Sequence, residues 1–155
     1  MKTPTRSPTH ADIELSRLSS MGLELDELAE ECGGGGDTLQ LTAIVELAED
    51  RGRPASHYLA ALAAATELRV APPDDARVTV RACVGNCQRW GALDLVSHFV
   101  DRIAARHPRV ALAPVACLDR CDAAPACELH SADGKLVLAP ATASALDEAI
   151  ASLVG

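Results

Sequence analysis

The residues with the most evident chemistry in this sequence are four of its six cysteines. Three residues separate Cys83 from Cys87, and three residues separate Cys117 from Cys121. Structural zinc sites and iron–sulfur clusters both use sets of four thiolates. A redox-active dithiol is disfavoured, because its two cysteines are normally separated by two residues. The pattern therefore predicts a four-cysteine metal centre and leaves zinc and iron–sulfur open.

Each cysteine pair directly follows a segment that reads as a β-strand. The first strand is predicted from Arg77 to Ala82, where apolar and polar residues alternate, and the second from Val110 to Val115. Between them, apolar residues at helical spacing predict a helix from Ala92 to Arg106. A strand–helix–strand crossover makes the two strands parallel. Both pairs should then emerge at the same sheet edge, which would bring the four thiolates together.

The remaining C-terminal sequence completes an α/β unit. Two short strands are predicted, Ala126 to His130 and Lys135 to Leu138, with an Asp-Gly turn signal between them. Thr142 or Ser144 is expected to cap a last helix that runs to Leu153. A unit of this size should have its own core and needs no zinc to fold. That consideration favours a functional iron–sulfur cluster over a structural zinc ion.

The first 70 residues are predicted to be helical. The expected helices are Ala11 to Ser20, Leu23 to Glu31, one capped by Asp37 or Thr38 that runs to Arg51 and stops at Gly52, and one that opens at Pro54 and Ser56 and ends near Leu68. The glycine run 33–36 is interpreted as a linker, because no lysine–serine pair of a phosphate loop follows it. The break at 71–75 predicts three regions: a variable tail with short helices (1–36), a helical segment (37–71) and the cysteine-bearing domain (76–155).

Composition and charge exclude some classes of partner. The formal net charge is −8 and aromatic residues make up only 2% of the chain. Nucleic acid is disfavoured, because acidic surfaces repel phosphate backbones and the chain offers few aromatic side chains for base stacking. No apolar run is long enough for membrane insertion.

The start of the chain bears on the redox compartment. Residues 1–10 contain no apolar segment of a secretory signal, so a cytoplasmic location is expected. In that compartment thiols stay reduced, and a cysteine cluster is more often metal-binding than disulfide-bonded. The two other cysteines, Cys32 and Cys127, are interpreted as core residues.

The cysteine segments also resemble a known protein family. Residues 81–92, RACVGNCQRWGA, resemble the first cluster loop of the thioredoxin-like [2Fe–2S] subunit of NADH dehydrogenase complex I and of the gamma subunit of NAD-dependent formate dehydrogenases. Residues 117–125, CLDRCDAAP, are similar to the second loop of that family. The helical stretch from Leu39 to Leu68 is similar to the segment that precedes the ferredoxin part.

The resemblance implies a thioredoxin-like [2Fe–2S] ferredoxin domain preceded by a small helical segment. It implies that Cys83 and Cys87 hold one iron, and that Cys117 and Cys121 hold the other. The chain would relay electrons without catalytic residues of its own, and the FMN and NAD sites would lie on a flavoprotein partner. One departure is that the family usually has four residues, not three, between the first two cysteines. Because each pair serves its own iron, the shorter spacing is expected to be tolerated.

Two alternatives stay open at this point. The first is a stand-alone thioredoxin-like [2Fe–2S] ferredoxin or redox sensor, which is expected to be a homodimer. The second is an interaction module stabilised by zinc on the four cysteines.

Overall fold

A computed structural model describes residues 15–31, 37–84, 91–116 and 125–154. In chain order the elements are α1 (Leu15–Glu31), β1 (Thr38–Leu39), α2 (Leu41–Arg51), α3 (Ala55–Ala65), β2 (Arg69–Val70), β3 (Val78–Cys83), α4 (Ala92–His98), a π-helical segment (Phe99–Ile103), α5 (Ala104–Arg106), β4 (Val110–Val115), β5 (Cys127–Ser131), β6 (Gly134–Leu138) and α6 (Ala143–Val154). The chain is therefore mixed α/β, as predicted. None of the helices in these ranges is long and apolar enough to cross a bilayer.

A four-stranded mixed sheet organises the C-terminal part, in the order β4-β3-β5-β6. β3 and β4 are parallel neighbours, with Val78 opposite Val110 and Cys83 opposite Val115. β5 is antiparallel to both β3 and β6. The predicted parallel pair and the predicted hairpin are thus both confirmed.

The two faces of this sheet have different characters because side chains alternate along a strand. Val78, Val80 and Ala82 of β3 point into the hydrophobic core, together with side chains of α4 and α6. The two helices lie side by side, since His98 of α4 is 2.8 Å from Asp147 of α6. By the same alternation, Thr79, Arg81 and Cys83 belong to the opposite face.

The N-terminal helices differ from prediction at three places. A single helix, α1, runs through Met21 and Gly22, where a break between two helices was predicted. α2 begins at Leu41 rather than after Asp37 or Thr38, because the Gln40 carbonyl accepts the first helical hydrogen bonds. α3 ends at Ala65, short of Leu68.

The early end of α3 has a local cause. The Thr66 hydroxyl donates to the Leu62 carbonyl at 2.7 Å and accepts from the Leu68 amide at 3.1 Å, so the side chain replaces a further helical turn. Beyond it, Arg69–Val70 forms β2, which pairs in parallel with β1. Neither of these two-residue strands was predicted from the sequence.

The segment around residues 71–76 connects two parts that share a core. Buried side chains from α1 and α3 form one continuous cluster with those of the sheet, α4 and α6. α3 contacts both α4 and β4, and β2 contacts β4. The predicted domain boundary falls in an irregular connection and stays a prediction.

Candidate metal centre

The structure describes one of the four predicted ligands. Cys83 is the last residue of β3, and only 1% of its surface is exposed. Cys87, Cys117 and Cys121 lie outside the described residues. Within the described ranges alone, no group of three or more Cys, His, Asp or Glu side chains is arranged to hold a metal ion.

The parallel pairing of β3 and β4 brings the starts of the two cysteine segments together. The Val84 amide donates to the Val115 carbonyl at 2.8 Å, so the register persists to the strand ends. The Cys83 thiol donates to the carbonyl of Ala116 at 3.6 Å, a weak hydrogen bond. Ala116 immediately precedes Cys117 in the sequence. Cys83 therefore lies beside the point from which the second cysteine segment departs.

The far end of the second segment returns to the same place. The Cys83 amide donates to the Ala126 carbonyl at 3.3 Å, and the Ala141 amide donates to the Pro125 carbonyl at 2.6 Å. Ala116 and Ala126 flank the stretch that contains Cys117 and Cys121. Both ends of that stretch are therefore fixed by contacts to Cys83, one through its thiol and one through its amide.

Cys127 differs from Cys83 in its surroundings. It pairs with Ala82 across β3 and β5, is 2% exposed and belongs to the hydrophobic core. Burial, followed by the charge of Glu128, raises the pKa of the Cys127 thiol to about 12. The metal-binding form of cysteine is the thiolate, so Cys127 is a neutral core residue at pH 7. The sequence-based interpretation of Cys127 is confirmed, while Cys32 lies outside the described residues.

A buried carboxylate, that of Glu128, lies opposite Arg81, which precedes Cys83 by two residues on β3. Glu128 of β5 is opposite Arg81, and its side chain is 9% exposed. Its Oε1 is 3.0 Å from His130 Nε2 and 3.7 Å from Arg81 Nη1, and its Oε2 is 4.0 Å from Lys135 Nζ. The hydrogen bond from His130 comes first among the causes that hold the pKa of Glu128 below its ordinary value, and Lys135 and Arg81 lower it further. We name this set of four residues the Glu128 cluster.

The Glu128 cluster was not recognised from the sequence. Strand alternation puts Glu128 and His130 on the face opposite Cys127 and Leu129, where an exposed pair would be expected. The opposite charges of Glu128 and Arg81 could have indicated the cluster. That pairing is recognisable only once the register between β3 and β5 is known. Since Cys83 follows Arg81 by two residues on the same face, the cluster provides a fixed set of charges near Cys83.

Comparison with known proteins adds no family assignment. No protein-family model matches the chain, and no curated protein matches it.

Proposed function

We propose that the chain is an electron-transfer protein that binds one [2Fe–2S] cluster through Cys83, Cys87, Cys117 and Cys121. The observation that carries the proposal is the contact between Cys83 and Ala116, together with the return of the chain at Ala126. These contacts support the expectation that the two cysteine pairs share one sheet edge, as a centre bridging two loops requires.

The connectivity supports a thioredoxin-like domain for this centre. A parallel strand pair joined by a helix, then an antiparallel hairpin and a terminal helix, is the order that the sequence predicts for the cysteine-bearing domain. The helices α2 and α3, which form the preceding helical segment, share the hydrophobic core of this unit. We therefore propose the thioredoxin-like [2Fe–2S] ferredoxin fold for the C-terminal part.

The residues described at the strand ends fit a thiolate-bound group. Cys83 is buried at the end of β3, whose residues Val78 and Val80 lie in the hydrophobic core, so the fold itself sets the position of Cys83. When bound, a [2Fe–2S] group supplies reversible one-electron chemistry. Arg81, two residues before Cys83, carries a positive charge that would favour the reduced state of the group, and its Nη1 lies 3.7 Å from Glu128 Oε1.

The proposed role is a subunit of an NAD(H)-linked oxidoreductase complex. In this role the flavoprotein partner carries FMN and the NAD site, and the chain exchanges electrons with the flavin. The helical segment supports this assignment, because a simple ferredoxin does not need one. A stand-alone ferredoxin or redox sensor is the alternative, and co-purification with a flavoprotein, as opposed to a homodimer that retains its cluster, separates the two.

The test is metal and sulfide analysis of protein purified without oxygen. We expect two irons and two labile sulfides per chain, a coloured protein and a reduced-state electron paramagnetic resonance signal. The Cys83→Ser variant should lose the cluster. The matched control is Cys127→Ser, which alters a buried cysteine on the opposite face and should retain iron and sulfide. One zinc per chain with no labile sulfide would overturn the proposal in favour of a zinc-stabilised module.

A further inference from the structure

A second site is indicated by a groove on the side of the molecule that carries α4 and α6. Its volume is about 500 Å³, which lies within the range typical of small-molecule sites. One wall carries His98, Arg102, Arg106 and His107, and the other carries Asp147 and Glu148. We name it the α4–α6 groove.

The π-helical segment explains why the basic residues share one wall. In an α-helix, residues four apart advance about 40° beyond a full turn, so His98, Arg102 and Arg106 would drift steadily around the axis. The segment Phe99–Ile103 forms the wider π-helical turn, which reduces that drift. The three side chains therefore stay aligned along the groove. Such π-helical insertions occur often at functional sites.

The charges in the groove are only partly satisfied within the molecule. Asp147 is engaged by His98, at 2.8 Å. Arg102 and Arg106 are exposed, and neither forms an ion pair or hydrogen bond with another side chain in the part of the chain that the structure describes; the same holds for Glu148. In a chain with a net charge of −8, two neighbouring guanidinium groups on one concave wall are an attractive point for an anion.

We propose that the α4–α6 groove binds a small phosphomonoester. Arg102 and Arg106 would hold the phosphate, because the guanidinium group matches phosphate oxygens in geometry and charge. Asp147 and Glu148 would accept hydrogen bonds from hydroxyl or amino groups of the ligand body. The site thus selects a phosphate at one end and hydrogen-bond donors at the other, as in a sugar phosphate or a nucleoside monophosphate.

The groove is separate from the cysteine edge of the sheet. α5 and His107 lead into the start of β4, where the Val110 amide donates to the His107 carbonyl and the Arg77 amide donates to the Arg109 carbonyl. Cys83 lies at the opposite ends of the parallel strands, beside Val115. Binding in the groove can therefore succeed or fail independently of the proposed cluster.

Calorimetric titration of the whole chain of 155 residues tests the proposal. The probes are inorganic phosphate, glucose 6-phosphate, adenosine 5′-monophosphate and, as phosphate-free references, glucose and adenosine. We expect saturable binding of at least one phosphomonoester and none of the references, with a Kd below about 1 mM at low salt. The Arg102→Gln/Arg106→Gln double variant should weaken it at least about tenfold. The charge-matched control, Arg17→Gln/Arg77→Gln, removes two exposed arginines outside the groove and should bind as the unmodified chain does.

Glu148→Gln tests the acidic wall. It should weaken a phosphomonoester that donates hydrogen bonds to the carboxylate, and should tighten inorganic phosphate by removing a like charge. Three results would overturn the proposal. They are no saturable binding of any phosphomonoester, equal losses in the two double variants, or inorganic phosphate binding as tightly as both phosphomonoesters.

Discussion

A buried carboxylate is stable only when its charge is compensated, and Glu128 shows how this is done on a sheet face. Three cationic or hydrogen-bonding side chains from β3, β5 and β6 converge on its two oxygens. Removing one member of such a buried cluster lowers the free energy of unfolding by more than one ion pair contributes, because the remaining charges stay buried without their partner. Glu128 therefore ties the strand next to Cys83 to the hairpin.

We expect Glu128→Gln to lower the free energy of unfolding by about 1–3 kcal/mol at pH 7. The effect depends on pH in a defined direction. The folded-state pKa of Glu128 is lowered, so its contribution is present above the ordinary carboxyl pKa and is lost as the pH falls through the folded value. Denaturant unfolding at several pH values measures this, and the variant should differ less from the parent in acid. Asp133→Asn, in the exposed turn before β6, is the control and should change stability little. An equal loss of stability at all pH values would contradict this account.

Cys127 leads to a prediction about reactivity. Because burial raises its pKa to about 12, the thiolate is scarce at neutral pH, and the core blocks access to the sulfur. A thiol-alkylating reagent followed by peptide mass spectrometry should leave Cys127 unlabelled in the native chain up to about pH 9 and label it fully in denaturant. The labelling rate of Cys83 in the same native chain, after metal removal, is the internal comparison. Rapid native labelling of Cys127 would contradict the prediction and show that β5 opens readily.

At the scale of elements, α1 and α3 pack closely because residue 22 is a glycine. A Cβ at Gly22 would lie 3.0 Å from the Ala65 Cβ and 3.2 Å from the Ala65 carbonyl oxygen. Met21 and Leu25, on either side, are fully buried. Gly22, which lies between the two helices predicted from the sequence, is therefore an interior helical residue that allows two helices to approach.

We expect Gly22→Ala to destabilise the chain by about 0.5–2 kcal/mol, as overpacking outweighs the gain in helix propensity. Thermal unfolding followed by circular dichroism measures this. The Ala65→Gly substitution removes the closest contact. In an Ala65→Gly background, Gly22→Ala should therefore cost less stability than it does in the parent chain. If the Gly22→Ala chain were more stable than the parent, the overpacking argument would be wrong. The result would mean that α1 shifts away from Ala65 without cost, so that only the higher helix propensity of alanine is measured.

The secondary structure was predictable where neighbouring residues in the sequence determine it. β4 was predicted at its observed bounds, and Gly52, with a φ of 66°, ends α2 where the sequence placed the stop. β1 and β2 could not be predicted, because two-residue strands exist only through their pairing across thirty residues. The π-helical segment was predicted as ordinary helix, since its periodicity differs from that of an α-helix by less than one residue per turn.

The candidate site divides in the same way between local and tertiary information. That Cys83 ends a strand beside the second cysteine segment followed from the crossover rule, which links local pattern to topology. The Glu128 cluster and the α4–α6 groove did not follow, because each depends on register or packing between elements that are distant in sequence. Charged residues on such surfaces have no periodicity that distinguishes a site from a solvated face.

At the scale of the whole molecule, the shared core determines which parts of the chain unfold together. Leu59 and Leu62 of α3 and Leu129 of β5 are all buried within one cluster, although they lie on opposite sides of the break at 71–75. Tyr58 strengthens the helical side, since its hydroxyl donates to Glu24 at 2.8 Å, and Glu24 also pairs with Arg51 at 3.3 Å. A contiguous core favours a single cooperative transition over separate unfolding of two regions.

We therefore expect Leu59→Ala to loosen the sheet as well as the helices. Removing this fully buried side chain should cost about 2–5 kcal/mol. Native-state hydrogen exchange, with parent and variant in the same metal state, compares α3 with β3 and β5, and all three should lose protection by the same free energy. The control is Leu23→Ala on α1, whose side chain is largely exposed, and it should leave protection unchanged. Loss confined to α1, α2 and α3, with β3 and β5 unaffected, would show instead that the N-terminal helices unfold as a separate unit and that the sheet is stable without them.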